Sequence, residues 1–378
     1  MNDMKGPRLI ALYLPQFHPI PENDEYWGKG FTEWTNVGKA KPLFRGHYQP
    51  KVPADLGYYD LRMPEVRKEQ ANYAREAGIE GFCYWHYWFG MGKRLLEMPF
   101  NEVVRTGEPD FPFCLCWTNH SWSNKTWKNG MSRKEANTMI AEQKYLGVED
   151  YTMHFYALLP AFKDKRYMTV DGKLLFMIWD PNRPQMKEFI DTWRSLANKN
   201  GLPGFHFVAM LYTASMRQNL TVQDRINKIN EYGFDAVNTI GNTKAELECG
   251  KMGKYFRAAM SKFLGIDTVS KYDQAEINKH MFCEEDRQEN VYPTIMPNWD
   301  RSPRTGKKCT LYTNSTPQVF QNSVEDALNI IKEKQPDHQI IAIRSWNEWG
   351  EGNYLEPCIK YGHGYLDAIK NALNKFKK

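Results

Sequence analysis

The segment SWNEWGEG carries the residues best suited to chemistry. Its two carboxylic acids, Glu348 and Glu351, stand three residues apart, directly after the apolar run 339–343. A strand that ends there and turns at Gly350 and Gly352 would let both carboxyl groups face one small volume. Two carboxylates that close repel each other as anions, so one should keep its proton to a higher pH. This difference separates the acid and base roles that glycosidic-bond cleavage requires.

Two alternatives use the same kind of residue differently. If strand alternation continues, Arg344, Trp346 and Glu348 share the inward face, and Glu348 could pair with Arg344 while Glu351 remains a solvated loop residue. Asp180 and Asp300 follow two other strands and form a second candidate carboxylate pair, which we rank lower, as ligands for sugar hydroxyls.

The elements that must position these residues are eight short runs rich in β-branched and aromatic residues, separated by amphipathic stretches. The runs are Arg8–Leu14, Gly81–Trp88, Phe111–Asn119, Lys173–Asp180, Phe205–Thr213, Phe234–Ile240, Tyr292–Asp300 and Gln339–Glu348. The helical stretches are Pro64–Ala77, Val148–Lys163, Gln185–Asn200, Val222–Tyr232, Val324–Lys334 and Gly364–Phe376, with Ser323 and Asp326 as a capping box for the fifth of these.

This pattern predicts an α/β fold, a (β/α)8 TIM barrel. One strand-and-helix unit takes about 30 residues, so the excess length predicts long loops after strands 1, 3 and 6, at 15–60, 120–147 and 241–290. A doubly wound open sheet is the alternative, but it expects a Gly-rich phosphate turn where this sequence has YLPQFHP. No linker or repeat divides the chain, so we expect a single catalytic domain over residues 1–378.

Functional residues of such barrels lie at the C-terminal ends of the strands. The candidates there are Tyr13, His18, Trp85, His86, Trp88, Trp117, Asn119, Trp179, Asp180, Trp299, Asp300, Trp346, Asn347 and Trp349. Indoles stack on the apolar faces of sugar rings, while amides and carboxylates bind hydroxyls. The cluster predicts a cleft for an oligosaccharide or polysaccharide, with aromatic packing beneath long loops as the alternative.

We expect no metal and no other cofactor. His18, His86 and His120 each follow a different strand, and no pair has the helical spacing of a metal site.

Composition excludes several partners. The net charge of +5 comes from scattered basic residues, which is not typical of a nucleic-acid surface. No apolar run has the 18 or so residues of a membrane span, and Pro15 interrupts the only stretch that could start a signal peptide. Seven irregularly spaced cysteines suggest reduced thiols, so we expect a cytoplasmic location. The sequence carries no signal for oligomeric state.

EWGEGNYLEP resembles the E-W-x-E-G-x-x-[IL]-E-P signature of glycoside hydrolase family 99, the endo-α-mannosidases and endo-α-mannanases. With YLPQFHPIPENDEYWGKGFTEWTNV, YWHYWF, CWTNHSW and PNWDRSPR, the whole chain more closely resembles the WbsX family found in polysaccharide biosynthesis loci. The resemblance implies an enzyme that cleaves or remodels α-glycosidic, in the hydrolases mannosidic, bonds of a bacterial-type surface polysaccharide or its precursor. It implies retention through a 1,2-anhydro sugar, with Glu348 as the base on the 2-hydroxyl and Glu351 as the acid/base. Gly350 stands where the hydrolases commonly have His, which leaves the sugar open.

Two other functions remain. WbsX-type proteins are often labelled glycosyltransferases of lipopolysaccharide, O-antigen or capsule biosynthesis, but the sequence has no D-x-D motif and no nucleotide-binding pattern, which favours cleavage or transglycosylation. A non-catalytic sugar-binding barrel is disfavoured because both Glu348 and Glu351 are present.

Overall fold

The computed structural model describes residues 6–123, 139–214, 220–264 and 268–377. Its centre is a closed barrel of eight parallel strands, as the sequence predicted. The strands are β1 (Arg8–Tyr13), β2 (Gly81–Trp88), β3 (Phe113–Trp117), β4 (Lys173–Ile178), β5 (Phe205–Tyr212), β6 (Ala236–Ile240), β7 (Val291–Ile295) and β8 (Ile340–Ile343). Each strand pairs with the next along the chain, and β1 pairs with both β2 and β8, which closes the sheet.

Helices surround the barrel and fill its loops. They are α1 (Pro21–Trp27), α2 (Glu33–Lys39), α3 (Pro64–Ala77), α4 (Met98–Thr106), α5 (Val148–Phe162), α6 (Met186–Lys199), α7 (Val222–Asn230), α8 (Asn242–Leu264), α9 (Gln274–Lys279), α10 (Ser302–Thr305), α11 (Pro317–Ile331) and α12 (Gly364–Phe376). Two predicted helices, α3 and α12, have the bounds expected from the sequence. The predicted capping box is wrong, because α11 begins seven residues earlier than expected and Ser323 lies buried inside it. The cap is Thr316, whose hydroxyl accepts a hydrogen bond from the Val319 amide at 3.2 Å. The helices α1, α2, α4, α8, α9 and α10 were not among the predicted helical stretches.

Strand alternation divides the core into two layers. Inward side chains fill the barrel, where the Cys83 thiol lies 3.7 Å from the Met177 sulfur and Cys116 lies 3.5 Å from Met210. Outward side chains pack under the helices, as Trp193 of α6 does with no exposed surface. None of the seven cysteines forms a disulfide.

The long loops predicted after β1, β3 and β6 are present. The first carries α1 and α2, and the third carries α8, α9 and the strand Ser270–Asp273. The second begins with Trp122–Ser123 paired to Met139–Ala141, and most of the rest of this predicted loop lies outside the described residues. The loop after β7 was not singled out, yet it carries α10 and the strand Thr310–Thr313, which pairs with the strand from the β6 loop.

Two further expectations concern the whole chain. Across the ranges that the structure describes, no helix is both long and apolar enough to cross a bilayer. The expectation of a single domain over residues 1–378 stays a prediction.

Candidate active site

A cavity of about 780 Å³ opens at the C-terminal mouth of the barrel. This volume lies within the range of about 300–1,000 Å³ typical of ligand sites. Its lining comes from the ends of the strands and from the long loops, and comprises Leu14, Gln16, Trp27, Trp85, Tyr87, Thr118, His120, Ser121, Trp122, Ser123, Trp179, Tyr212, Ala214, Asn242, Thr243, Glu246, Trp299, Arg301, Arg304, Thr310, Arg344, Glu348 and Glu351. Five of the residues selected from the sequence belong to it: Trp85, Trp179, Trp299, Glu348 and Glu351.

The loop after β8 brings both glutamates into this cavity. The Ser345 hydroxyl oxygen accepts hydrogen bonds from the amides of Asn347 at 3.1 Å and Glu348 at 2.9 Å, which fixes the backbone as the strand ends. A single 3₁₀ turn over Trp349–Glu351 follows and ends at Gly352, whose φ of +57° favours glycine. The side chains of Glu348 and Glu351 keep 15% and 13% of their surface exposed.

Arg304 of α10 bridges the two carboxylates. Its Nη2 lies 2.8 Å from Glu348 Oε2, and its Nη1 lies 2.6 Å from Glu351 Oε1. Arg301 lies 3.1 Å from the same Glu351 oxygen. Glu351 therefore has two guanidinium groups at ion-pair distance, whereas Glu348 has one.

A third carboxylate lies behind the pair. Glu33, at the start of α2, has no exposed surface and accepts two hydrogen bonds from Arg304, at 3.0 Å from Nε and 2.9 Å from Nη2. A Cβ added at Gly350 would lie 1.6 Å from the Glu33 Oε1 atom. The absence of a side chain at position 350 is thus matched by a carboxylate that occupies the space.

These contacts separate the pKa values of the two glutamates. Burial, with the negative charges of Glu351 and Glu33 adding to it, raises the pKa of Glu348 to about 7 against the opposing effect of Arg304. Burial also acts to raise the pKa of Glu351, but Arg301, Arg304 and Arg344 outweigh it and lower that pKa to about 2. Below neutral pH the sugar-free cleft therefore holds a proton on Glu348 and a negative charge on Glu351.

Aromatic side chains form another part of the cavity wall. The Trp85 and Trp179 rings meet edge to face at 5.4 Å, and Tyr212 packs edge-on against Trp179 at 5.6 Å. The Arg344 guanidinium lies over the Trp179 ring at 4.9 Å and donates to the Tyr212 hydroxyl at 3.2 Å. Its Nη1 is buried without a partner among the described residues and is thus a free donor beside the cavity.

Several sequence-selected residues on the first two strands do not line the cavity. Tyr13 points outward and donates to Gln70 of α3 at 2.6 Å. His86 and Trp88 also point outward, where His86 lies 2.7 Å from His154 of α5 and Trp88 stacks on the same ring. Their expected position was wrong because alternation sends Trp85 and Tyr87 inward and these neighbours outward.

The candidates that follow β3 and β4 also lie outside the cavity lining, apart from Trp179. Trp117 packs on Phe189 of α6 at 4.9 Å between ring centroids, and the Asn119 amide ties the loops together by donating to the Asp180 carbonyl at 2.8 Å. The Asp180 carboxylate forms an ion pair with Arg183 at 2.6 Å.

Two other strand-end residues also lie outside the lining. His18 is buried, with Nδ1 2.9 Å from the Pro15 carbonyl. Asp300 faces a separate cavity of about 350 Å³, where His47 and Gln49 contact its carboxylate at 2.9 and 2.7 Å.

The remaining three candidates hold the loop after β8 in place. Asn347 receives a hydrogen bond from the Leu14 amide at 2.8 Å and donates to the Leu14 carbonyl at 3.0 Å. Trp346 and Trp349 have no exposed surface and donate their indole N–H groups to Glu356, at 2.9 and 2.6 Å. The sequence prediction that these side chains contact a sugar is therefore corrected, since each is turned away from the cavity.

Two arginines and the third carboxylate of the site were not predicted from the sequence. Arg304 and Glu33 lie in the loop helices α10 and α2, and Arg301 directly precedes α10. The packing of these loop helices across the barrel mouth leaves no periodic signal. Tyr87 and Tyr212 could have been found, because alternation from Trp85 and from the inward residues of β5 places both in the cavity. Within the described ranges, no three His, Cys, Asp or Glu side chains are grouped as metal ligands.

A (β/α)8 barrel that brings aromatic side chains and two carboxylates of opposite pKa shift to the C-terminal ends of its strands has the arrangement in which barrel enzymes hold their active sites. The chain belongs to the family described as Glycosyltransferase WbsX, whose model matches residues 9–369. This confirms the family resemblance inferred from the sequence.

Relatives and solved structures are similar to this chain over nearly its whole length. A protein from Xanthomonas campestris pv. campestris (strain B100), named "Uncharacterized protein WxcX", is 33% identical over 371 residues, which are 97% of this chain and 50% of the relative. The chain thus spans about half the length of the curated relatives it matches. A structure titled "Glycoside hydrolase-like protein" is similar with a TM-score of 0.59 at 12% identity, covering 98% of this chain and 94% of the other. The family 99 endo-alpha-mannosidase from Bacteroides thetaiotaomicron is similar with a TM-score of 0.54 at 14% identity, covering 100% of this chain and 98% of the other. These two likenesses concern the fold.

Proposed function

We propose that this chain cleaves or remodels α-glycosidic bonds of a bacterial-type surface polysaccharide or its precursor, with Glu348 and Glu351 as the acid and base pair. The observation that carries the proposal is the bridging of both carboxylates by Arg304 in one cavity, at 2.8 and 2.6 Å, with opposite pKa shifts. Two carboxylates held in different protonation states beside an aromatic wall suit acid–base work on a sugar.

The finer mechanism, retention through a 1,2-anhydro sugar, rests on the family 99 resemblance. That resemblance makes Glu348 the base and Glu351 the acid, and a mannosidic bond the substrate. The protonation states of the sugar-free cleft are the reverse of those that these roles require, since Glu348 has the raised pKa and Glu351 the lowered one. For Glu351 to donate a proton, sugar binding must move Arg301 or Arg304 away from it, because both now stabilise its anion.

A leaving-group series assigns the two roles. General acid catalysis is worth roughly 10²–10⁴ in rate and is needed least when the leaving group is already acidic. If Glu351 is the acid, Glu351→Gln keeps most of its rate on aryl glycosides and loses it on ordinary glycosides, while Glu348→Gln is inactive on both. If Glu348 is the acid, the two variants exchange behaviour. Full activity of both variants on ordinary glycosides would overturn the proposal.

Nucleotide-sugar transfer is the second candidate, and the family's description as a glycosyltransferase favours it. A screen of defined oligosaccharides and nucleotide sugars, with the product anomer identified by NMR, separates the two. We expect products of retained configuration formed without nucleotide. Acceptor-dependent release of free nucleotide would instead identify a transferase.

A further inference from the structure

Glu33, Arg304 and Gly350 form one unit beneath the catalytic pair. We propose that Glu33 is a positioning residue, which occupies the space above Gly350 and holds Arg304 where it contacts both Glu348 and Glu351, so that the two carboxylates take different protonation states. The proposal rests on the proposed function and deepens it, because it names the residue that makes Glu348 and Glu351 differ in protonation.

The geometry leaves Glu33 little freedom. It has no exposed surface, and Arg304 donates a hydrogen bond to each of its carboxylate oxygens, at 3.0 and 2.9 Å. Planar two-point pairing of this kind fixes the orientation of a guanidinium as a single contact does not. With Nε and part of Nη2 directed to Glu33, Arg304 keeps Nη1 for Glu351, and Nη2 is shared with Glu348. Contact with Glu33 thus determines which Arg304 N–H groups remain for Glu348 and Glu351.

Glycine at position 350 is required by this arrangement. A Cβ there would lie 1.6 Å from Glu33 Oε1 and 3.1 Å from Arg304 Nε. Any side chain would displace the Glu33 carboxylate, which is fully buried. Positions 33 and 350 are therefore coupled, and a change at one acts through the other.

The charges that face Glu348 give the direction of the effect. Arg304 and Arg344 favour its anion, whereas Glu33 and Glu351 oppose it. Glu348 also acts on the Tyr87 hydroxyl, whose pKa is raised by burial and by this carboxylate. Neutralising Glu33 removes one repulsion and frees Arg304 Nη2 for Glu348, so both consequences stabilise the Glu348 anion.

The test needs no substrate. Protein labelled with ¹³C at the glutamate side-chain carboxyl carbons is titrated by NMR, and the Glu348 resonance is identified by its loss in Glu348→Gln. We expect a midpoint near neutral pH in the wild type and a midpoint lower by about one pH unit or more in Glu33→Gln. An unchanged midpoint in a folded Glu33→Gln protein would overturn the proposal, whether or not any glycan is turned over.

Two further variants separate positioning from general damage. Glu80→Gln is the matched control, because Glu80 forms an equally two-pronged pair with Arg8 at the other end of the barrel, at 2.7 and 2.8 Å. We expect it to leave the Glu348 midpoint unchanged. As a single substitution, Gly350→Ala should shift the Glu348 midpoint. In a Glu33→Ala background it should cause no further shift, because the space next to position 350 is then empty. Additive effects of Gly350→Ala and Glu33→Ala would show that the two positions act independently and would refute the coupling.

Discussion

Glu356 shows how much of the loop after β8 can depend on one buried residue. Its two oxygens accept hydrogen bonds from Trp346 and Trp349 above, and from Gln70 at 2.6 Å and Tyr59 at 2.9 Å at its sides. Burial raises its pKa to about 7 despite these four donors. These four contacts tie the loop after β8 to α3 and to the loop after β1.

We predict that Glu356→Gln destabilises the protein. The substitution replaces one carboxylate oxygen, an acceptor, with an NH2 group, a donor. Each oxygen of Glu356 accepts two hydrogen bonds, so two neighbouring donors would then face a donor. Each buried group left unpaired costs about 1–3 kcal/mol. Urea denaturation should show a fall of about 2 kcal/mol or more in the free energy of unfolding.

The control is Glu325→Gln, which alters a partly exposed glutamate on α11 paired with Lys375. It should change that free energy by less than about 0.5 kcal/mol. Equal effects of the two substitutions would contradict the role given to Glu356.

At the scale of the strand, alternation decides which strand-end residues reach the cavity. Reading β2 from Cys83, whose thiol lies inside the barrel, places Trp85 and Tyr87 inward and His86 and Trp88 outward. Selecting residues by closeness to a strand end therefore accepts neighbours of both orientations, which is why Tyr87 was missed.

Alternation can be extrapolated only as far as the strand continues. On β8 it correctly predicts that Arg344 lines the cavity, but the strand ends at Ile343 and the prediction fails at Trp346, which turns to Glu356. The eight strands and six helices could be predicted because local periodicity encodes them. The partnership of Arg304 with Glu33 could not, because it joins residues 271 apart through two loop helices.

We predict different outcomes for substitutions at two adjacent positions of β2. Tyr87→Ala removes an aromatic wall of the cavity, so it should weaken substrate binding roughly tenfold, which corresponds to about 1.4 kcal/mol. Because the Tyr87 side chain is buried against Phe89 and Trp122, this substitution should also lower the melting temperature. Trp88→Phe removes the hydrogen bond from the indole to Asp150 at 3.1 Å, outside the cavity. It should lower the melting temperature and leave KM unchanged. Steady-state kinetics and thermal melts of both variants check this, and a KM effect at position 88 would refute the orientation.

At the scale of the whole molecule, the cleft combines carboxylates, arginines and aromatic rings, and we expect its chemistry to need no metal. Incubation with EDTA followed by assay should leave activity unchanged. Activity lost on EDTA treatment and restored by a divalent ion would count against glycosidic-bond cleavage and in favour of the transferase.

Buried titratable groups link the stability of the molecule to pH in two opposing ways. His86 and His154 have pKa values lowered by burial, so the unfolded chain binds more protons than the folded one below pH 6.5. Their contribution makes the protein more stable as pH rises through that range. The pKa of Glu348 is raised from its unfolded value of 4.5 to about 7. Its contribution therefore makes the protein less stable as pH rises between these two values. The wild-type curve alone cannot separate these effects.

The difference between Glu348→Gln and the wild type isolates the glutamate, because the histidines are common to both. Below pH 4.5 both side chains are neutral in both states. As pH rises to 7 and beyond, the wild type must ionise a buried carboxyl group whose unfolded form ionises more readily, and the variant does not. The free energy of unfolding of the variant should therefore rise relative to the wild type by on the order of 2 kcal/mol between pH 4.5 and pH 8. Urea denaturation at these two pH values measures the change, and a difference that stays constant or reverses would mean that Glu348 is already ionised in the folded protein at low pH.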